Sequence, residues 1–234
     1  MASTPTRFAI PAAAALLAFA GTARIAAPST ARTGPKVAVL DSGGWHGQAV
    51  ADVARTDCPT CRIVTAQVLG ANDSGSDDEI AQGLLSAIDK GARVVNLSMS
   101  GPGDAPVLRD AIRSATSQGV IVVAAAGNDG TTMKSFPAAE PNVIAVAATD
   151  STGKVPRWSN RGAWVTIAAP GQTTGLRGTS AAAPAVAAAA AECLAAAPKL
   201  SPSAVRAILV RTATRIPGMP FGRLDLDRAV EACE

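Results

Sequence analysis

A run of small apolar residues from Ala185 to Ala197 sets the strongest limit on what this chain can fold into. It is opened by Leu176-Arg177-Gly178-Thr179-Ser180-Ala181-Ala182-Ala183-Pro184. Ala is the best helix former, and a helix surfaced with methyl groups lets neighbouring elements approach closely. The run therefore reads as a buried helix. Pro184 falls near the first turn, where a missing N–H costs little. Ser180 then lies at or next to the helix N-terminus, beside free N–H groups and the positive end of the helix dipole. A hydroxyl there serves either as a cap or as a nucleophile whose developing oxyanion meets backbone donors.

The rest of the chain supplies a frame for that helix. Its 234 residues are 48% hydrophobic and 17% charged, which suits one sizeable domain with a full core. Aromatics make up 3% and Tyr is absent, so Ala, Val, Ile and Leu must build the interior. Short apolar runs read as strands at 36–40, 62–69, 93–98, 120–126, 142–149 and 164–168. Helical patterns lie between or after them at 48–55, 76–90, 105–118, 201–212 and 225–233. This alternation predicts an α/β fold: a three-layer, mostly parallel, doubly wound sheet with helices on both faces. Ligands of such sheets bind at the C-terminal ends of the strands. Asp41, Ser98 to Gly101 and Asn128 all end strands, and His46 and Ser180 sit at helix starts, so one rim gathers them.

The N-terminus reads as a targeting segment. Phe8 to Ala20 is apolar, too short to span a bilayer comfortably, and broken by Pro11; Ala18-Phe19-Ala20 and Gly21-Thr22-Ala23 offer small-x-small cleavage patterns. We expect a signal peptide over 1–23, a linker over 24–35 and a compact domain over 36–234. The protein would then be secreted or periplasmic, without stable membrane association once the signal is removed. In an exported chain four Cys favour disulfides over metal. Local pairing, Cys58 with Cys61 and Cys193 with Cys233, is the expected connectivity. A redox role for Cys58-Pro59-Thr60-Cys61 has nothing thioredoxin-like around it. No metal or cofactor is expected, and a net charge of +3, scattered along the chain, argues against nucleic acid as a partner.

A serine hydroxyl is a weak nucleophile and needs a base. The chain has a single His, so an imidazole mechanism must use His46. An imidazole base needs its tautomer fixed by an acceptor, usually a buried carboxylate, and Asp41 ends a buried strand five residues earlier. Asn128 could offer an amide to the oxyanion. Each residue also has an ordinary structural reading. Asp41 and Asn128 suit turns, and His46 suits an N-cap or a solvated surface position.

Taken together, Val37-Ala38-Val39-Leu40-Asp41-Ser42-Gly43, His46-Gly47, Val123-Ala124-Ala125-Ala126-Gly127-Asn128 and Gly178-Thr179-Ser180 with Pro184 resemble the subtilisin-like serine proteases, in that family's order. The likeness continues in Leu69-Gly70-Ala71, Val95-Asn96-Leu97-Ser98, Val143-Ile144-Ala145-Val146 and Ala169-Pro170-Gly171, and covers roughly 36–215. It implies a subtilisin-like fold and an endopeptidase acting on polypeptide substrates. In it Ser180 attacks, His46 relays the proton, Asp41 orients His46, and Asn128 with the Ser180 N–H holds the oxyanion. It further implies that Ser98, Met99, Ser100 and Gly101, with Asp73, Ser74 and Gly75, form edge segments pairing with an extended substrate. Ala125, Ala126 and Gly127 would wall the main specificity pocket.

Two departures stand out. The family carries a few dozen residues between the Asp and His; here there are four. Five residue steps reach up to about 17 Å, and Gly43-Gly44 can turn sharply, so a contact is possible. The family's folding pro-segment and calcium loops are also not recognisable, which leaves room for an inhibitor or folding helper acting in trans. A second function class therefore stays open: a catalytically silent relative that binds peptides or a protein partner. A nucleotide loop at Gly43-Gly44-x-x-Gly47 lacks the Gly-x-Gly-x-x-Gly spacing.

Overall fold

A computed structural model describes residues 33–70, 72–173 and 175–234. The signal-peptide expectation, and the linker as far as residue 32, lie outside the described residues. Gly34 and Pro35 are already tied to the domain, through Gly34 N–H to Thr60 O and Arg62 N–H to Pro35 O.

Among the described residues eight strands form one sheet: β1 (Lys36–Ser42), β2 (Arg62–Leu69), β3 (Val94–Leu97), β4 (Ile121–Ala125), β5 (Ile144–Thr149), β6 (Ile167–Pro170), β7 (Thr214–Arg215) and β8 (Gly222–Arg223). Their order is β2-β1-β3-β4-β5-β6-β8-β7. All neighbours are parallel except the β7–β8 pair, a short antiparallel edge that the sequence pattern does not announce. The helices are α1 (Trp45–Asp57), α2 (Asp77–Asp89), α3 (Pro106–Ser117), α4 (Thr179–Ala196), α5 (Pro202–Thr212) and α6 (Leu226–Glu231).

Side-chain alternation along the strands divides the core into two layers. Val37, Val123, Val146 and Ile167 face α4, with α5 and α6 packed behind it. Ala38, Leu40, Val95 and Val122 face α2 and α3. Helix α4 runs across β1, β3, β4, β5 and β6 and is covered on its outer side by α1, α5 and α6. That explains its composition. Only Ala-sized side chains let one helix touch a sheet and three helices at once. It is long and apolar enough to cross a bilayer, but here it is the core helix of the domain.

Three expected boundaries move. Helix α1 begins at Trp45, not Gln48, so His46 lies inside its first turn. Helix α4 begins at Thr179 with Gly178 as N-cap, and Pro184 is its sixth residue, beyond the first turn. Strand β6 is Ile167–Pro170 rather than 164–168, because Trp164 instead anchors a loop by donating its indole N–H to Thr132 O.

Both expected disulfides are present, Cys58–Cys61 and Cys193–Cys233. The second joins residues 40 apart and ties the end of α4 to the chain just beyond α6. Closing a loop of that size stabilises by about 4 kcal/mol in the chain-entropy picture. The double variant Cys193→Ala/Cys233→Ala is expected to melt about 8–16 °C lower in calorimetry. A fall of under about 3 °C would mean that packing alone holds α6.

Candidate active site

Strand β1 lies second from one edge of the sheet, and the chain leaves it to one side for β2 and returns to the other side for β3. The crevice of a doubly wound sheet opens at that reversal. Asp41 is the last residue but one of β1 there, and Ser98 follows β3. Asn128 follows β4 on the same edge, and α4 brings Ser180 across it as its second residue.

The short connection from Asp41 to His46 closes. His46 Nδ1 lies 2.7 Å from Asp41 Oδ1. Gly47 makes this possible: a Cβ there would come 2.1 Å from Ser42 O, so only glycine lets α1 start directly against the end of β1. Asp41 is 1% exposed. Its Oδ1 also accepts the Ser42 N–H at 2.7 Å and the Ser42 hydroxyl at 3.4 Å, while Oδ2 is buried without a partner among the described residues. A buried carboxylate in contact with an imidazole favours the cationic ring. The His46 pKa is accordingly raised above its ordinary 6.5, first by the hydrogen bond to Asp41, against partial burial, and then by the charges of Asp41 and Asp73.

Asp73 thus sits close enough to act on the imidazole electrostatically. It occupies a turn with φ 56°, a conformation that Asn also tolerates. Replacing it by Asn removes a charge that favours imidazolium. The acid limb of any His46-dependent rate, which falls as pH drops through the His46 pKa, is expected to move to lower pH in Asp73→Asn. A pH profile of kcat/KM checks this, and an unmoved limb would remove Asp73 from the electrostatics of the site. Stability runs the other way. A His pKa raised by folding stabilises below about 6.5 and loses that contribution as pH rises through the folded value.

Ser180 is partly buried, and its hydroxyl donates to Ser98 O at 3.2 Å rather than to His46. In return the Ser98 hydroxyl donates to Ser180 O at 3.2 Å. Pro184 explains the second bond. It has no N–H for the carbonyl four residues earlier, so Ser180 O would otherwise be left without a donor. Asn96 Nδ2 holds the Ser98 hydroxyl in place at 2.9 Å.

Asn128 faces the N-terminus of α4. Its Oδ1 accepts from Thr179 N–H at 2.9 Å and from the Thr179 hydroxyl at 3.1 Å. That fixes the amide and leaves Nδ2 as its free donor. The same Thr179 hydroxyl accepts the Gly127 N–H at 3.1 Å. Gly178 permits this close approach, because a Cβ there would lie 3.1 Å from Asn128 Nδ2 and its φ is +134°. Thr179 carries no signal of this role in the sequence beyond standing next to Ser180.

The predicted substrate-edge residues are only partly free. Gly101 exchanges both backbone hydrogen bonds with Phe136, so strand-like pairing from this segment is left to Ser98, Met99 and Ser100. Ser74 O accepts the Gly70 N–H, folding that loop back on itself. Ala125 and Ala126 are buried, and Gly127 faces the Ser100 hydroxyl, so these two segments do meet. Among the described residues no group of His, Cys, Asp and Glu is placed to hold a metal.

A parallel α/β sheet with a carboxylate–imidazole pair, an orientated amide and a helix-borne serine on its carboxyl rim has the layout of a serine-hydrolase scaffold. The subtilase family model matches residues 33–229, and the chain belongs to the subtilase family. It is 42% identical over 168 residues to Subtilisin Savinase of Lederbergia lenta, covering 68% of this chain and 62% of that protein. To Thermitase of Thermoactinomyces vulgaris it is 34% identical over 214 residues, covering 81% and 76%. Among solved structures, the self-cleaved protease domain of PatA superposes with a TM-score of 0.76 at 26% identity, covering 85% of this chain and 96% of that one. The chain spans less than two thirds of the length of several curated relatives it matches, 44% for the alkaline protease of Shouchella clausii.

Proposed function

We propose that this protein is a secreted serine endopeptidase, with Ser180 as nucleophile, His46 as general base and then acid, Asp41 as its orienting carboxylate, and Asn128 Nδ2 with the Ser180 N–H as oxyanion donors. The observation that carries the reading is the Asp41–His46 contact at 2.7 Å, formed despite only four intervening residues. A proton held on Nδ1 by Asp41 leaves Nε2 to accept the Ser180 proton as Oγ attacks the scissile carbonyl. The carbonyl π electrons move to the oxygen, which Asn128 Nδ2 meets. Collapse of that intermediate breaks the C–N bond, and imidazolium returns the proton to the leaving amine. Water then repeats the sequence on the acyl-enzyme, with His46 again as base. Before attack, Ser180 Oγ must leave Ser98 O and turn toward the imidazole.

An extended polypeptide pairing with Ser98 to Ser100 fits the backbone of that segment, whose Ser98 O is released when Ser180 Oγ turns to the imidazole. The names of the relatives, a subtilisin, alkaline proteases and a thermophilic serine proteinase, support the activity. Export rests on the signal-like residues 1–23 and on the two disulfides. A second reading, a silent peptide-binding relative, draws on the Ser180 hydroxyl being turned to Ser98. Labelling of the purified protein with a fluorophosphonate probe separates the two. A probe adduct mapped to Ser180 by mass spectrometry is expected. Folded protein that takes up no probe would leave the binding reading.

A further inference from the structure

One buried polar side chain outside the residues named above makes more hydrogen bonds to the Asn128 loop than any other. Asn160 is 0% exposed and lies in the loop between β5 and β6. Its Nδ2 donates to Ala126 O at 2.8 Å and to Asp129 Oδ2 at 3.3 Å. Its Oδ1 accepts from Asp129 N–H at 3.0 Å and from Thr131 N–H at 3.1 Å. Its backbone N–H donates to Gly127 O at 3.0 Å. These bonds grip the chain at two residues before Asn128 and at two beyond it, and none goes to Asn128 itself.

The side chain is chemically specific to this task. A primary amide has two donors and a doubly accepting oxygen on one short fork, and here all four capacities are used. Asp could accept but not donate, and Ser would not reach both sides. Asn160 is in turn fixed to the sheet. The Ser159 hydroxyl donates to Asn160 O at 3.2 Å and accepts the Ala148 N–H of β5 at 3.0 Å. Glycine at 127 belongs to the same arrangement, since a Cβ there would come 2.5 Å from Asn160 Nδ2.

We propose that Asn160 is a positioning residue for the oxyanion amide. It transmits the rigidity of β5 to the loop and so sets where Asn128 Nδ2 points. The inference rests on the endopeptidase reading above. Thr179 orients the Asn128 side chain from the front, and Asn160 holds the chain on either side of it from behind. Gly130 N–H to Trp158 O and Arg161 N–H to Thr131 O also brace the loop, so it persists without the Asn160 side chain but with less definition. A small displacement of a group that acts only in the transition state lowers kcat and leaves KM nearly alone.

The test is a double-mutant cycle on a fluorogenic peptide, with enzyme concentration set by fluorophosphonate titration so that unfolded protein does not count. Asn160→Ala is expected to lower kcat by about 10–100-fold with KM little changed. In an Asn128→Ala background, the same substitution is expected to cost no more than about threefold. An equal factor in both backgrounds, or a raised KM with kcat unchanged, would overturn the proposal. If Asn160→Ala does not fold, Asn160→Ser in the same cycle carries the test under the same criteria. A wild type that takes up no probe would bring down the endopeptidase reading itself. A labelled wild type with an additive cycle brings down only the role of Asn160.

Discussion

Ser180→Ala is expected to lower kcat by on the order of 10^6-fold, the scale seen when the serine of subtilisin is removed, and His46→Ala by a comparable factor. The two act as one unit. A serine without a base is a poor nucleophile, and a base without a nucleophile has no proton to take, so the double variant is expected to be no worse than either single one. The sequence sharpens this expectation, because there is no second His to substitute for His46. Folding is not expected to suffer in Ser180→Ala, whose hydroxyl makes one bond, to Ser98 O. Steady-state kinetics, with melting curves for each variant, check both points. Unchanged turnover by folded Ser180→Ala would place the nucleophile elsewhere and end the triad reading.

The sequence is most legible where hydrophobic patterning and topology act together. Val37 to Leu40 and Ile121 to Ala125 are apolar on both faces, Val94 to Leu97 is interrupted only by Asn96, and a parallel sheet covered on both sides uses such strands. The residues at their ends therefore have to share a rim. Strand ends and a helix start are enough to single out Asp41, Asn128 and Ser180. The local disulfide pairing is also readable. How the groups lock together is not. Nothing in the pattern says that Pro184 deprives Ser180 O of a donor and that Ser98 supplies one. Nor does it say that Gly47 permits α1 to begin against β1. Those facts depend on steric approach between segments brought together only by folding. Asn160 shows the limit most plainly: in Trp158-Ser159-Asn160-Arg161-Gly162 it looks like an ordinary loop residue, and its partners lie 29 to 34 positions away. Gly101 escapes a substrate-edge role for a similar reason, since the pairing of its backbone with Phe136 is a tertiary event.

On the proposed mechanism Asn128 carries two jobs that substitution can separate. Helix α4 has no side-chain cap of its own at Gly178, and the Thr179 N–H is one of the donors that a helix start leaves unpaired. Asn128 Oδ1 fills that gap from another part of the chain. The other end of the amide, Nδ2, is free for the oxyanion. Asn128→Ala removes both. It is expected to lower kcat by about 10^2–10^3-fold, the usual cost of one oxyanion donor. It is also expected to destabilise the fold by about 1–3 kcal/mol through the orphaned Thr179 N–H. Asn128→Asp keeps an acceptor at the helix N-terminus, where a negative charge is favourable, but it has no proton to donate. Its melting temperature is therefore expected to stay near that of the wild type while its kcat falls at least as far as in Asn128→Ala, because a carboxylate now faces the developing oxyanion. Equal kcat in Asn128→Asp and wild type would show that the Ser180 N–H alone serves the oxyanion. Equal melting temperatures in Asn128→Ala and wild type would show that α4 does not depend on its borrowed cap. If both predictions hold, the same amide couples the start of the core helix to the chemistry on the rim, and the proposed grip of Asn160 on the Asn128 loop serves both.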